Sequence, residues 1–529
     1  MRSVSTSELA PTLELLHQRQ ADSGYIGETD IEAAALAAGV SPSEMYGAVS
    51  AYPRFRLEPG EATTAVCTGP ACHFSGSSRF NLTLGTGGET HCLGLCDQPV
   101  AAITPGGPRI LRPGAAPAPP EPRAPVIGVR ESAFFGEDDP VSAARNALDK
   151  TPGDLINAIS DSGLQGRGGA GFPAGRKWAM VRGAHGDRKF LVCNLDESEP
   201  GTFKDRYILD HQPRRLLAGI NIAARAVGAS DVVIYIRYEY QAQHAALLDE
   251  IDSLRAEGLL GETFDIAVRR AAGLYVCGEE SALLNSLEGR RPVPRDRPPY
   301  PTDSGLFGCP TLIQNAETLA AVPAIVAKGA TWYRDAGSPK LYCVSGDVSS
   351  PGVFELPLGT TARDLLDRAG ADGVKAFTLG GLSGGLLPAS ALDVKLDFDD
   401  PRRYGAALGS GALITLNQSR CAVRFALEGM RFFAGESCGK CFPCRIGTTR
   451  LRERLESLRV RTGLKPALGG HGADPVAEMS DIIDVLHTGS ACGLGPAAGT
   501  LAKHLLTHFP EEVEAHTQGH CPAAECANG

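Results

Sequence analysis

The sequence predicts a multidomain α/β protein. It should comprise a helical N-terminal segment with a small α/β module, a large parallel-sheet domain, a β-grasp-like domain and a C-terminal helical bundle. Three observations carry this. Residues 113–125, PGAAPAPPEPRAP, form a semi-rigid linker with no means of packing a core. The apolar runs Phe190–Asn194 and Asp231–Ile236 flank helical periodicity over Pro213–Val227, the alternation of a covered parallel sheet. Residues 413–512 have helical periodicity.

In chain order, residues 1–59 read as helical. Leu9, Leu13, Leu15 and Leu16 precede a turn at Gly24–Gly27, and Asp30–Leu36 starts a second helix with Thr29 as its expected N-cap. Ser41 and Glu44 form a capping box that opens a third. Residues 60–112 change texture, with short strands at Ala62–Val66, Val100–Ile103 and Ile110–Leu111. After the linker, 126–335 is the large α/β domain. Residues 336–412 form the β-grasp-like module, with a strand at Lys340–Gly346, a short helix at Thr361–Ala369 and turns at Gly380-Gly381 and Gly384-Gly385. The helical domain runs over 413–512. Residues 513–529 are expected to be a loose tail, in which Cys521 and Cys526 alone make no cluster motif.

Composition narrows the function. The 529 residues are 43% hydrophobic and 21% charged, an ordinary folded composition. A net charge of −10 argues against a nucleic-acid protein, whose footprint is basic. No apolar run is long enough to span a membrane, and MRSVSTSELAPTLELLHQRQ lacks an apolar signal core, so a cytoplasmic location is expected. Thiols stay reduced there, and 15 cysteines, several in clusters, read as metal ligands or catalytic groups.

The strongest motif is Cys438-Gly-Lys-Cys441-Phe-Pro-Cys444, with Cys492 in a later loop. Three thiolates at this spacing can wrap one cubane and a distant fourth can close it, the ligand pattern of a [4Fe–4S] cluster. A four-cysteine zinc site is the rival and prefers separated pairs; inert buried cysteine is the third reading. A second set, Cys67 and Cys72 with Cys92 and Cys96, suits a [2Fe–2S] centre, with zinc or a lost cluster as alternatives.

Gly166-Arg167-Gly168-Gly169-Ala170-Gly171-Phe172-Pro173 contains G-x-G-x-x-G, but the preceding residues 153–162 look helical where a dinucleotide fingerprint needs a strand. The glycines still let backbone approach a phosphate, Pro173 suits the start of a helix, and Lys177 adds a point charge. A plain flexible loop is the alternative. Asn194-Leu195-Asp196-Glu197-Ser198-Glu199 follows a buried strand, where ligands of α/β sheets bind. Its clustered carboxylates suit ribose hydroxyls and ring N–H groups, against a solvated acidic turn. Tyr275-Val276-Cys277-Gly278-Glu279-Glu280 repeats the theme, with Cys277 read as packing. The loop Arg290–Pro301 is proline-rich and basic, more often a surface loop than a phosphate cover.

Taken together, GRGGAGFPAGRKW, CNLDESEPGTFKDR, YVCGEESALLNSLEGRRPVPR and ESCGKCFPCRIG resemble the NADH-binding flavoprotein subunit of respiratory complex I. The same core occurs in diaphorase subunits of NAD-reducing hydrogenases and NAD-dependent formate dehydrogenases. Residues 8–112, with GYIGETDIEAAALAAGVSPSEMYGAVSAYPRF and CLGLCDQPVA, are similar to the thioredoxin-like [2Fe–2S] subunit of these enzymes, here fused upstream. The resemblance covers about 130–510 for the flavoprotein and makes 126–335 a Rossmann-like FMN/NAD domain.

The resemblance implies FMN and NAD(H) stacked in one cavity. Gly166, Gly168, Lys177, Asn194, Asp196, Tyr275, Gly278 and Asn315 would contact FMN. Phe172, Glu199, Glu280 and Arg297 would face NAD. Arg167, Gly169, Glu197, Ser198, Glu279 and Gln314 complete the expected cofactor-binding set, with Glu197, Glu199 and Glu280 orienting ribose and carboxamide rather than transferring protons. Met180, Arg297, Tyr300 and Gln314 depart from the family pattern, and the 19 residues between Cys72 and Cys92 are fewer than usual.

The favoured reading is the β subunit of a cytoplasmic molybdenum- or tungsten-dependent formate dehydrogenase that reduces NAD+. A diaphorase of a bidirectional hydrogenase comes second and a complex I subunit third. The expected partners are a molybdopterin- or nickel-containing large subunit and a small thioredoxin-like [2Fe–2S] subunit. A scaffold without redox function and a zinc-dependent interaction protein are the readings of another class.

Overall fold

The computed structural model describes residues 11–60, 63–83, 88–260, 264–458 and 475–528. Leu9, Ala62 and the stretch 459–474 of the expected helical domain lie outside these. Helices Thr12–Ser23, Glu28–Ala38 and Pro42–Val49 come first. The third opens on the expected capping box: Glu44 N donates to Ser41 Oγ (3.3 Å) and Ser41 N to Glu44 Oε2 (2.9 Å). The second differs. Its N-cap is Gly27, whose N–H donates to Asp30 Oδ2 (3.0 Å), so Thr29 sits within the first turn. Leu13, Leu16, Ile31 and Met45 of these helices share a buried cluster with Val192 and Val233 of the central sheet.

The small module is a sheet in the order Gly88–Thr90, Ala65–Cys67, Ala101–Thr104, Gly107–Ile110. Its first pair is parallel and the others antiparallel. The linker 113–125 is strapped to the surface rather than free. Gln98 and Glu121 exchange two bonds (2.7 and 3.1 Å), and His211 Nε2 meets Arg123 O (2.8 Å).

The central sheet has Ile266–Arg270, Asp231–Ile236, Phe190–Leu195 and Thr311–Asn315 side by side, all parallel. Numbered by chain order this is 3-2-1-4, so the strand order reverses between Phe190–Leu195 and Thr311–Asn315. A crevice opens at the carboxyl ends of such a pair, where α/β sheets bind ligands. Helix Pro213–Val227 packs against helix Ala316–Lys328 on one face.

The β-grasp-like region contributes a mixed sheet that reaches past the expected limits. Strand Ala412–Asn417 lies inside it, parallel to Lys340–Gly346, and Val126–Ile127 forms its edge. The run 412–416 is buried on both faces of this sheet, and strand pairing wins over the helical reading from 413. The bundle follows as helices Ala422–Gly435, Phe442–Leu458, Pro475–Gly489 and Leu494–His508. The tail is not loose. Helix Pro510–Thr517 continues the chain, and Cys521 and Cys526 are buried against the bundle. Among the described residues no helix is long and apolar enough to cross a membrane.

Candidate functional site

A cavity of about 290 Å³ opens at the strand-order reversal. Asn194 and Asn315, register partners at the ends of the two strands, form its floor. Asn194 Nδ2 donates to Gly278 O (2.9 Å) and its Oδ1 accepts from Asp196 N (3.1 Å), tying the acidic turn to the Tyr275–Gly278 segment. Asn315 caps helix Ala316–Lys328 through Glu317 N (3.0 Å) and donates to Asp205 Oδ2 (2.7 Å). Gly168, Asp196, Ser198, Glu199 and Tyr275 line the walls. The glycine loop lies over the cavity after helix Pro152–Ser162, as the sequence indicates, and Gly166 N donates to Phe172 O (2.9 Å). Gly171 has φ +65°, and a Cβ there would stand 2.6 Å from the Phe398 ring.

Burial sets the charge states. One Asp196 carboxyl oxygen has no hydrogen-bond partner among the described residues. Burial, outweighing the nearby Arg237, pushes the Asp196 pKa up to about 8. Burial likewise raises Glu199 to about 7, although Tyr275 Oη (2.6 Å) and Ser383 N (2.8 Å) donate to it. Such an orphaned acceptor calls for a ligand donor.

Several of the expected residues engage the protein itself rather than the free cavity wall. Glu197 borders the cavity, but its carboxylate accepts from Asp205 N (2.9 Å), Arg206 N (3.1 Å) and Tyr240 Oη (2.7 Å). It thereby caps the start of helix Lys204–His211. Arg167 is fully buried, and its guanidinium turns into the core, donating to Tyr333 Oη (2.8 Å) and Ser338 O (3.1 Å). Gln314 is buried in its strand and does not line the cavity. Gly169 packs beside Gly409 rather than on the cavity wall.

Glu280, Lys177 and Arg297 stand outside the cavity as a charged cluster. Lys177 Nζ lies 3.0 Å from Glu280 Oε2 and Arg297 Nη2 3.1 Å from Glu280 Oε1; Arg297 also pairs with Glu279. Glu279 caps helix Glu280–Leu287 through Ser281 N (3.0 Å) and Ala282 N (2.9 Å). Phe172 is exposed, with Arg176 over its ring. Sequence reasoning missed Thr202, Lys204, Asp205, Ser383 and Ser410, which also line the cavity. Lys204 is a buried cation, 2.7 Å from Asp205 and 3.1 Å from Glu317. The signal was present: Lys204 and Asp205 follow closely on the acidic turn in CNLDESEPGTFKDR.

The bundle builds the cysteine site. The turn after helix Ala422–Gly435 and the turn before Leu494–His508 meet at one end, so Cys438, Cys441, Cys444 and Cys492 line one cavity. Val276, Cys492 and Leu494 border both this cavity and the one at the sheet. In the small module Cys67, Cys72, Cys92 and Cys96 are all buried despite the short intervening segment. Cys92 and Cys96 sulfurs lie 3.3 Å apart, and a Cβ on Gly69 would touch both Cys67 Sγ (3.5 Å) and Cys92 Cβ (3.3 Å), so the pairs adjoin. The Cys92–Cys96 loop docks on the central domain. Arg237 donates to Cys92 O (2.8 Å) and to Glu197 O, and buried Asp97 accepts from Arg206 (2.6 Å) and Tyr207 Oη (3.0 Å). Gly94, at φ +70°, is required here: a Cβ would stand 2.8 Å from Tyr240 Oη.

Comparison with known proteins agrees with this layout. Family models match over 3–105 (thioredoxin-like [2Fe–2S] ferredoxin), 159–324 (Nuo51 FMN-binding domain), 341–372 (SLBB domain) and 424–516 (NADH-ubiquinone oxidoreductase-F iron-sulfur binding region). The F 2 subunit of the NADH-quinone oxidoreductase of Rhizobium meliloti is 40% identical over 402 residues, covering 72% of this chain and 93% of that protein. The corresponding F subunit of Streptomyces coelicolor is 40% identical over 427 residues, covering 75% and 92%. A chain of an NAD+-reducing [NiFe]-hydrogenase in the H2-reduced state superposes with TM-score 0.86 at 32% identity, covering 98% of this chain and 94% of that one.

Proposed function

We infer the function from one premise: the chain belongs to the family of NADH-binding flavoproteins formed by the F subunits of NADH-quinone oxidoreductases. It carries an FMN-binding domain, a [4Fe–4S]-binding region and a thioredoxin-like [2Fe–2S] domain. Our reading is that it is the NAD(H)-binding diaphorase subunit of a cytoplasmic molybdenum- or tungsten-dependent formate dehydrogenase. The observation that supports a diaphorase of this kind is the fusion. One chain unites the [2Fe–2S] module with the flavoprotein and matches a hydrogenase chain over nearly its whole length, whereas the quinone oxidoreductase relatives cover about three quarters. The same likeness favours the second reading, a hydrogen-oxidising partner. The choice of formate rests on the resemblance of the motifs.

The residues at the strand reversal fit a flavin: an orphaned buried carboxyl oxygen, a buried lysine and close-approach glycines. A flavin held there supplies the exchange between hydride, carrying two electrons, and single-electron iron–sulfur carriers. Gly168, Asn194, Asp196, Tyr275, Gly278 and Asn315 would hold it, with Gly166 shaping the loop above. Asp196, whose pKa burial raises to about 8, has an unpartnered acceptor oxygen to offer a ring N–H. Phe172 and the Lys177–Glu280–Arg297 cluster would meet the nucleotide, with Lys177 on this side rather than on the flavin floor. Glu199, tied to Tyr275 and Ser383, would position rather than transfer protons. Cys492, itself one of the four expected [4Fe–4S] ligands, lies in the wall shared by the two cavities, which would give electrons a short route.

Purification of the native assembly tests this. A molybdopterin-containing large subunit and formate-dependent NAD+ reduction are expected. A nickel-containing partner with hydrogen-dependent reduction would move the chain to the second reading.

A further inference from the structure

A third cluster of metal-ligating side chains lies at the opposite end of the bundle from Cys438. Cys421, His516, Cys521 and Cys526 are all buried, and their ligand atoms lie within 4.8 Å of one another. Cys421 precedes helix Ala422–Gly435, whose 14 residues span about 21 Å. The group is therefore remote from the [4Fe–4S] ligands. We propose that these four residues form a mononuclear zinc site that fastens the C-terminal tail to the start of this helix.

The distances select the metal. With bonds of about 2.3 Å to sulfur and 2.05 Å to nitrogen, tetrahedral zinc needs sulfur–sulfur separations of about 3.8 Å and sulfur–nitrogen separations of about 3.5 Å. Cys421 and Cys526 sulfurs are 3.8 Å apart, and His516 Nε2 lies 3.5 Å from Cys526 Sγ and 3.3 Å from Cys421 Sγ. An iron–sulfur cluster would spread its four ligands further, because its own iron and sulfide atoms stand between ligands on different irons, whereas all four ligand atoms here lie within 4.8 Å of one another.

The surroundings suit a bound cation. His516 Nδ1 lies 2.6 Å from Glu512 O, a bond that only an Nδ1–H can make, so Nε2 presents its lone pair to the thiols. Cys421 sits at a helix N-terminus, and its sulfur accepts from Arg424 N (3.4 Å). The tail is clamped in place independently. Glu525 accepts from Cys421 N (2.9 Å) and Arg420 (3.1 Å), and Arg424 donates to Glu525 O (2.6 Å).

The site also has a structural consequence. Arg424 Nε meets His73 Nε2 (3.1 Å), and Phe74 stacks on Phe425. His73 and Phe74 belong to the short helix that carries Cys72. A metal holding the tail against Arg420 and Arg424 thus braces the seam between the bundle and the [2Fe–2S] module.

The test is metal analysis of the full chain, purified without chelators, with zinc-edge X-ray absorption. A single zinc ion per chain is expected besides cluster iron, bound by three sulfurs and one nitrogen. Cys521→Ser with Cys526→Ser should lose it at unchanged iron and flavin content. His516→Cys should keep zinc and convert the shell to four sulfurs, a readout that survives even if the double variant misfolds. Zinc absent as isolated and not taken up from added zinc salt overturns the proposal. So does zinc retained in the double variant, or a shell that His516→Cys does not change.

Discussion

The acidic turn 196–199 and the acidic pair 279–280 use the same residue types to opposite ends. Asp196 is buried and Glu199 half-buried, and desolvation raises their pKa values although cationic or hydrogen-bonding neighbours oppose it. Glu280 is partly exposed and bracketed by Lys177 and Arg297. In the first group Asp196 keeps an unpartnered oxygen among the described residues, while Glu199 is held by Tyr275 and Ser383; in the second, cations already compensate Glu280. The placement of cationic and hydrogen-bonding partners, not carboxylate count, divides the two acidic groups.

Breaking the inner group should have the largest effect. Asp196→Leu is expected to lower flavin affinity at least about tenfold, the loss of one buried hydrogen bond to the cofactor. Flavin per chain after dialysis, with iron content as control, measures it; full flavin retention would remove Asp196 from the site. Next comes Glu197→Gln. It should cost about 1–3 kcal/mol of stability, because a buried acceptor of three bonds is altered, and leave nucleotide kinetics alone. A lowered melting temperature with unchanged KM separates cap from catalytic group.

Glu280→Gln probes the outer cluster. Partly screened ion pairs are worth about 1 kcal/mol, so KM for NADH should rise about fivefold with flavin and clusters intact. Unchanged nucleotide kinetics would take Glu280 out of NAD binding. The smallest effect is on pH dependence. Asp196 and Glu199 hold protons more tightly folded than unfolded, so unfolding releases protons from the ordinary carboxylate range up to pH about 7 to 8. The flavin-free chain should therefore lose stability as pH rises through that interval, and Asp196→Asn should flatten the decline. Melting curves from about pH 5 to 8.5 decide it.

What could be read in the sequence was local. The run 438–444, the capping box at Ser41 and the strand Phe190–Leu195 each carry their signal within a few residues. The acidic turn announced a site, but which carboxylate faces the ligand depends on the backbone path beyond the strand end. Glu197 turned to cap a helix for that reason. Arg167 shows the same limit, since a loop residue between glycines can point its side chain into the core. The tail site was illegible because Cys421 and His516 are 95 residues apart and only bundle packing joins them. Strand Ala412–Asn417 was hidden because an apolar run fits a buried strand or a helix equally well until its pairing partner is known.

The most direct test of the central claim is anaerobic addition of NADH to the purified, cofactor-loaded chain. Flavin absorbance and the paramagnetic signals of the clusters would be followed together. Hydride uptake followed by electron passage through the wall at Cys492 predicts bleaching of the flavin and appearance of reduced-cluster signals. Loaded flavin and clusters that NADH leaves oxidised would contradict the account and return the chain to a scaffold.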